Sequence, residues 1–308
     1  MVSTLRRHPP TLSNCLTRKA NRIMKFIHVT DTHLVPPGDM LCAMHPSERL
    51  SHVIEMVNRI DGDAEFMVLT GDLSYHGLEP AYLSMRDILA DLEMPCHLLI
   101  GNHDDRESFK KIFPETPSDD AGFVQYTVTH EAGVFVMLDT VEHEQSHGRL
   151  CAQRLAWLEE QLSRHADRPV YLFLHHPPFK VGIGSLDECM LLDPEPLGRL
   201  LLAHGNVRHI FYGHVHRPIA GSWLGIPATT LPGTNHQVGL YLGPEPDMVG
   251  SHEPPAYGVC LIEDDSIVVH MRNFLDDSPR FQLADPTSKS ATKPSDLAHL
   301  PDALRGQV

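Results

Sequence analysis

Five short segments carry side chains that bind metal ions: Asp31-Thr32-His33, Gly71-Asp72, Gly101-Asn102-His103-Asp104, His175-His176 and Gly213-His214-Val215-His216. Together they offer enough aspartate, asparagine and histidine for two ions, with histidine to spare. A pair of divalent ions about 3.5–4 Å apart is what phosphatases and nucleases use on phosphorus. The ligand chemistry therefore points to a hydrolase that attacks phosphorus. Imidazole suits zinc, iron and related borderline metals, and carboxylate oxygen suits harder ions such as manganese. A mixed N/O set fits a divalent or mixed-valence pair of Fe, Mn, Zn or Co better than an oxygen-only Mg or Ca site. The Asp72 carboxylate has two oxygens and can bridge two ions. Asn102 offers a neutral oxygen, which leaves a metal more Lewis-acidic than a carboxylate would. Asp31 and His33 are two residues apart, as are His214 and His216. On extended backbone such pairs point to one side, so each is expected to present both side chains to one cavity.

The elements that must position these groups are legible as well. Apolar runs at Phe26–Val29, Phe66–Leu69, His97–Ile100, Val170–Leu174 and His209–Tyr212 each end directly before a ligand segment. Short apolar runs bounded by Gly or polar residues read as buried strands. Ligands gathered at the carboxyl ends of strands follow the general rule for α/β sheets. Between strands the apolar period changes to that of a helix. Leu50, Val53, Ile54, Val57 and Ile60 recur at helical spacing. Further helices are expected near 79–92, 108–113, 152–165 and 195–203, and Leu155, Leu158 and Leu162 form the core stripe of the helix at 152–165. Strand–helix alternation over the first 115 residues implies parallel pairing with crossover helices. Shorter strands near 124–129, 134–138, 227–230, 258–262 and 267–271 suggest a second, more antiparallel sheet. Two mixed sheets face to face, with helices outside both, make a four-layer α/β/β/α sandwich.

With these motifs in order, the chain resembles the calcineurin-like metallophosphoesterase superfamily, and within it the class III cyclic-nucleotide phosphodiesterases and their glycerophosphodiesterase relatives. The similarity spans roughly Met24 to Leu275. It extends to Asp104-Asp105-Arg106, to His175-His176-Pro177-Pro178, and to Leu231-Pro232-Gly233-Thr234-Asn235-His236-Gln237, a segment closer to the glycerophosphodiesterase branch. The resemblance implies the same four-layer fold. It also implies one metal held by Asp31, His33, Asp72 and His216 and the other by Asp72, Asn102, His175 and His214. His103 is left beside the substrate phosphate, and Asn102 and His236 join it in substrate binding. No ligand position departs from the family pattern. In the resembling glycerophosphodiesterases the region around 234–256 forms an interfacial hairpin that caps the neighbouring subunit's site, which implies a homodimer or higher homo-oligomer. A plain surface insertion is the other reading of this Gly- and Pro-rich stretch.

Composition narrows the substrate. The 308 residues carry 40 acidic and 25 basic side chains, a net charge of −15. The first 23 residues hold five of the basic ones and no acid, so the body is more acidic still. An acidic surface disfavours nucleic-acid polymers and anionic membranes. A small phosphodiester captured by metal ions is the expected substrate. Residues 1–23 contain no apolar run of the kind a secretory signal needs. They read as an upstream start or a disordered basic arm, with a transit peptide as the sharper alternative. The main domain is expected over 24–275, and a disordered tail rich in Ser, Pro, Asp and Lys over 284–308. Six scattered cysteines without a Cys-x-x-Cys pair fit a reducing cytoplasm. No stretch approaches the roughly 18 apolar residues of a membrane span.

The expected reaction is attack on phosphorus by hydroxide generated at the metals. Two divalent ions, Asp31, Asp72 and one bridging hydroxide sum to about +1, which a phosphodiester monoanion balances. A monoester dianion would need an added Arg or Lys, and only Arg106 is tied to the motifs. His103 is the candidate catalytic group, since imidazole is the commonest proton-transfer side chain near neutral pH. His176 is expected to orient its neighbour. Cyclic nucleotides are the first substrate expectation, with a glycerophosphodiesterase or broad phosphoesterase as the alternative. A metal-binding scaffold without catalysis and a metal-dependent nuclease are the readings from other classes. The former should have lost His103 or a bridging ligand, and neither is lost.

Overall fold

The structure is a computed structural model that describes residues 23–242, 248–281, 283, 291 and 293. The expected basic arm, apart from Ile23, and nearly all of the expected tail lie outside the described residues. In chain order the elements begin with β1 (Met24–Val29), α1 (Pro46–Asp61), β2 (Met67–Thr70), α2 (Glu79–Leu89), β3 (Cys96–Leu99) and α3 (Arg106–Ile112). There follow β4 (Tyr126–His130), β5 (Gly133–Leu138), α4 (Ala152–Arg164), β6 (Val170–Leu174), α5 (Gly184–Asp187), α6 (Glu195–His204) and β7 (Val207–Tyr212). The chain closes with β8 (Ile219–Trp223), β9 (Ile226–Thr230), β10 (Gln237–Val238), β11 (Gly250–Ser251), β12 (Tyr257–Ile262) and β13 (Ile267–Arg272).

One sheet has the order β13-β12-β1-β2-β3 and the other β4-β5-β6-β7-β9-β8. The sequence placed β12 and β13 in the second sheet, and this is corrected. β12 pairs antiparallel with β1, Met24 opposite Ile262 through His28 opposite Gly258. The parallel β1–β2–β3 unit leaves one edge of β1 open. The residues of β12 alternate between Tyr257 and Val259 on the helix side and Cys260 and Ile262 on the inter-sheet side. A strand apolar on both faces belongs between two neighbours inside a covered sheet. The second sheet is also less antiparallel than expected. β5–β6, β6–β7 and β7–β9 run parallel, and only the edge pairs β4–β5 and β8–β9 are antiparallel. The crossover helices α4 and α6 impose that geometry. The short elements β8, β10, β11 and α5 were not foreseen, being too brief to show a period.

Three hydrophobic clusters mark the three interfaces of the four layers. Leu50, Val53, Ile54 and Val57 of α1 pack with Ile27, Val29, Met67 and Leu69 on the outer face of the first sheet. Ile60, last in the expected stripe, is exposed. Leu158 and Leu162 of α4 and Leu197 and Leu201 of α6 cover Val136, Leu172 and Ile210 of the second sheet. Between the sheets lies an aromatic layer of Phe26, Phe66, Phe135, Phe173 and Phe211. Phe173 stacks on Phe211 at 4.8 Å, and Phe26 meets Phe211 edge-on at 5.3 Å. That stiff layer fixes how the carboxyl ends of the two sheets face each other, and the metal ligands stand at those ends. No helix among the described residues is long and apolar enough to cross a membrane.

Candidate metal centre

The ligand residues follow β1, β2, β3, β6 and β7, but they do not continue the strands. Asp31, His33, Asp72, His214 and His216 all have positive φ, between 48° and 72° for all but His33 at 47°. The expectation that Asp31/His33 and His214/His216 converge on extended backbone is therefore corrected. The chain turns sharply as each strand ends, and left-handed residues swing the side chains into the cleft between the sheets. For non-glycine residues this conformation costs about 1–2 kcal/mol each. Backbone strain of this kind gathers at functional sites and persists where surrounding structure holds it. The holding groups are visible. Asp31 N–H bonds Gly71 O at 3.2 Å, and His33 N–H bonds Asp72 O at 2.8 Å. Asp104 accepts from the N–H groups of Leu73, Ser74 and Gly101 and from Tyr82 Oη, locking two ligand loops together. Gly101 is obligatory, because a Cβ there would lie 2.2 Å from Asp72 Oδ1.

Two ligand clusters meet at Asp72. In the first, His33 Nε2 lies 2.9 Å from His216 Nε2, 3.5 Å from Asp72 Oδ2, and His216 Nε2 lies 3.4 Å from Asp31 Oδ1. In the second, Asn102 Oδ1 lies 3.2 Å from His175 Nε2 and 3.0 Å from His214 Nδ1, and His175 Nε2 lies 3.3 Å from Asp72 Oδ1. Each oxygen of Asp72 thus faces a different cluster, as a bridging carboxylate must. The tautomers agree. His175 Nδ1–H donates to Thr70 O at 2.7 Å and His216 Nδ1–H to His236 O at 2.9 Å, so both Nε2 atoms point inward, where loss of a proton would free them as metal ligands.

The donor set fits metal ions on electrostatic grounds. Asp31 and Asp72 are both fully enclosed, and their ionic partners are histidines. Buried carboxylates need a compensating cation. Burial opposes ionisation of Asp31, yet His216 beside it holds the carboxyl below the usual range. Burial lowers His175, but Asp72 and the bonds to Asp72 and Thr70 outweigh it and push the ring up to about 9. In the metal-free chain, protons on the histidines balance the carboxylates, and a bound cation would displace them.

At the mouth of the site stand the half-buried Asn102, His103 and His236. His103 takes no part in either cluster. Its Nδ1–H donates to Tyr75 O at 2.9 Å, its ring stacks on Tyr75 at 4.9 Å, and it meets His33 edge-on at 4.8 Å. His236 lies 4.7 Å from the His216 ring, and burial pushes it down to about 4, so it is neutral at pH 7. His176 packs against His175 at 4.8 Å and His214 at 4.9 Å, while Thr140 Oγ1 engages its Nδ1 at 2.8 Å. Arg106 is turned away: it makes a two-pronged pair with buried Asp139 at 2.9 and 3.0 Å. The structure thus brings together every residue named from the sequence for this site. Reading the sequence overlooked Tyr75, Thr140 and the hydroxyls behind Asp31, because their only signal is proximity in space.

The model of the calcineurin-like phosphoesterase family matches residues 24–218, nearly two thirds of the chain. The chain belongs to the calcineurin-like phosphoesterase family. It is 44% identical over 265 residues to a probable cyclic nucleotide phosphodiesterase of Rhodopseudomonas palustris, covering 85% of this chain and 97% of that one. It is 30% identical over 236 residues to a probable glycerophosphodiester phosphodiesterase of Arcobacter nitrofigilis, covering 76% and 86%. A dimetal phosphatase from Danio rerio shares the fold, with a TM-score of 0.62 at 16% identity over 82% of this chain and 97% of that one. Members of the family thus surround a chain whose own geometry is that of a binuclear metal site.

Proposed function

We propose that this calcineurin-like phosphoesterase is a two-metal hydrolase of small phosphodiesters, cyclic nucleotides foremost. The observation that carries the diester reading is the bidentate Arg106–Asp139 pair. Arg106 was the one cation tied to the motifs that was available to a monoester dianion, and it is committed elsewhere. Two ions, of Fe, Mn, Zn or Co, held by Asp31, His33, Asp72 and His216 and by Asp72, Asn102, His175 and His214, would supply Lewis acidity at the phosphoryl oxygens and lower the pKa of a coordinated water. The chain's own residues do the rest. His103, anchored through Nδ1–H to Tyr75 O, has Nε2 free, and as an imidazolium it would give the Nε2 proton to the departing oxygen. Asn102 and neutral His236 flank the phosphate position as hydrogen-bonding partners. A cavity of about 400 Å³ lined by Cys42, His236, Gly250, Ser251 and His252 adjoins the site. That volume suits a small leaving group. Glycerophosphodiesters remain the second reading, because the Arcobacter relative carries that name and the charge argument fits any diester monoanion.

The test is a panel of substrates offered to metal-reconstituted protein. Bis(p-nitrophenyl) phosphate should show a higher kcat/KM than p-nitrophenyl phosphate, and 3′,5′-cyclic nucleotides should exceed glycerophosphodiesters. A higher kcat/KM for the monoester would reverse the diester reading.

The partner we propose is a second copy of this chain. β10 pairs antiparallel with β11, and next to them Leu240, Tyr241, Leu242, Met248 and Val249 are exposed. Contiguous exposed apolar side chains of this kind mark interaction surfaces. Sedimentation should show a dimer or larger oligomer, and Leu242→Asp should shift it toward monomer. A wild-type monomer at micromolar concentration would refute this.

A further inference from the structure

The inter-sheet face of β1 and β2 changes character along its length. Phe26 and Val68 belong to the aromatic layer between the sheets. Two residues further along each strand, the same face carries His28 and Thr70, with Thr30 next in line. All three are fully buried. Their polar atoms form one chain. Thr30 Oγ1 donates to Asp31 Oδ2 at 2.7 Å. A hydroxyl has one proton, so its remaining contact is as acceptor, and Thr70 Oγ1 donates to it at 2.9 Å. The Thr70 proton is now used. The 2.9 Å contact between His28 Nε2 and Thr70 Oγ1 must therefore be donation by the imidazole. Nδ1 of His28 is buried without a partner, as a bare ring nitrogen, and burial keeps the ring neutral by pushing it down to about 3. Gly213 closes over the chain: a Cβ there would lie 2.3 Å from Thr30 Oγ1.

We infer that His28, Thr70 and Thr30 form a one-way hydrogen-bond relay that orients Asp31 and sets the affinity of the Asp31–His33–Asp72–His216 site for its metal ion, leaving the other site unaffected. The inference rests on the two-metal reading above. His214 N–H lies 3.1 Å from both Asp31 oxygens and does not choose between them. The relay does choose. It holds Oδ2 and leaves Oδ1 facing His216 Nε2 at 3.4 Å. These three are positioning residues, since they reach the metal only through Asp31.

The test uses full-length protein freed of metal by chelation and titrated with Co²⁺ or Mn²⁺ by calorimetry, with Co²⁺ absorption reporting each site. Thr30→Val keeps the side-chain shape and removes the hydroxyl. One of the two binding steps should weaken by about 10–100-fold, the usual cost of losing a ligand's supporting partner. The other step should not change, and Thr30→Ser should restore the first. His28→Leu and Thr70→Val should weaken the same step, yet add nothing to Thr30→Val, because groups in one chain are not additive once its last link is cut. Thermal unfolding of the metal-free forms is followed in parallel. Should Thr30→Val fail to fold, Thr70→Val carries the same comparison against Thr70→Ser. Unchanged binding steps, equal weakening of both, or additive losses in the double variants would each overturn the relay. Wild-type protein that binds fewer than two ions would overturn the two-metal reading itself.

Discussion

Asp72→Asn should empty both metal positions and abolish activity, while Asp31→Asn should empty one. The asymmetry follows from the two oxygens of Asp72, of which Oδ2 faces His33 at 3.5 Å and Oδ1 faces His175 at 3.3 Å. Among the described residues, no other side chain faces ligand side chains of both clusters through separate charged atoms. Asparagine is the informative replacement because residue 72 has φ 48°, a conformation that Asn tolerates better than most residues. The backbone should stay in place while the bridging charge is lost. The carboxylate is a ligand itself, so its loss should exceed the roughly 10–100-fold that removing a ligand's supporting partner costs. Both calorimetric steps in Asp72→Asn should weaken by more than about 100-fold by the same comparison. If one ion still binds with wild-type affinity, Asp72 serves a single site and the bridge is wrong.

His103→Ala should keep both ions and the fold but lose about 10²–10⁴-fold in kcat, the usual share of general acid–base help. The expectation comes from position. His103 lies beside His33 at 4.8 Å but outside both ligand clusters, with Nδ1 spent on Tyr75 O and Nε2 unspent. The loss should shrink for p-nitrophenolate leaving groups, which depart without a proton, and persist for alkoxide leaving groups. Equal losses for both would move His103 from proton donor to phosphate positioning. Loss of a bound ion would make it a ligand. The backbone N–H of His103 bonds Asp72 Oδ1 at 2.9 Å, and that contact survives in the alanine variant.

The residue types of this site were legible in the sequence because metal ligation demands particular atoms. Asp, Asn and His placed directly after five apolar runs can be recognised without a structure, and so can the strands that deliver them. The amphipathic helices were equally plain, since burying one face imposes a period on the chain, and only their ends moved, by up to three residues. The local sequence could not say which strands become neighbours. β12 was read into the wrong sheet because an apolar hexapeptide is compatible with any covered sheet, and only the open edge of β1 decides its place. The same limit applies within the site. The spacing of Asp31 to His33 suggested extended backbone, whereas the folded chain holds both in left-handed turns by hydrogen bonds to Gly71 and Asp72. Arg106 looked available until Asp139, 33 residues away, was seen to hold it. His28, Thr30 and Thr70 read as ordinary strand residues until pairing of β1 with β2 aligned them behind Asp31. Chemistry that depends on atom type is written locally in the chain. Chemistry that depends on which groups meet is decided by packing, because distances between remote residues exist only once the core has formed.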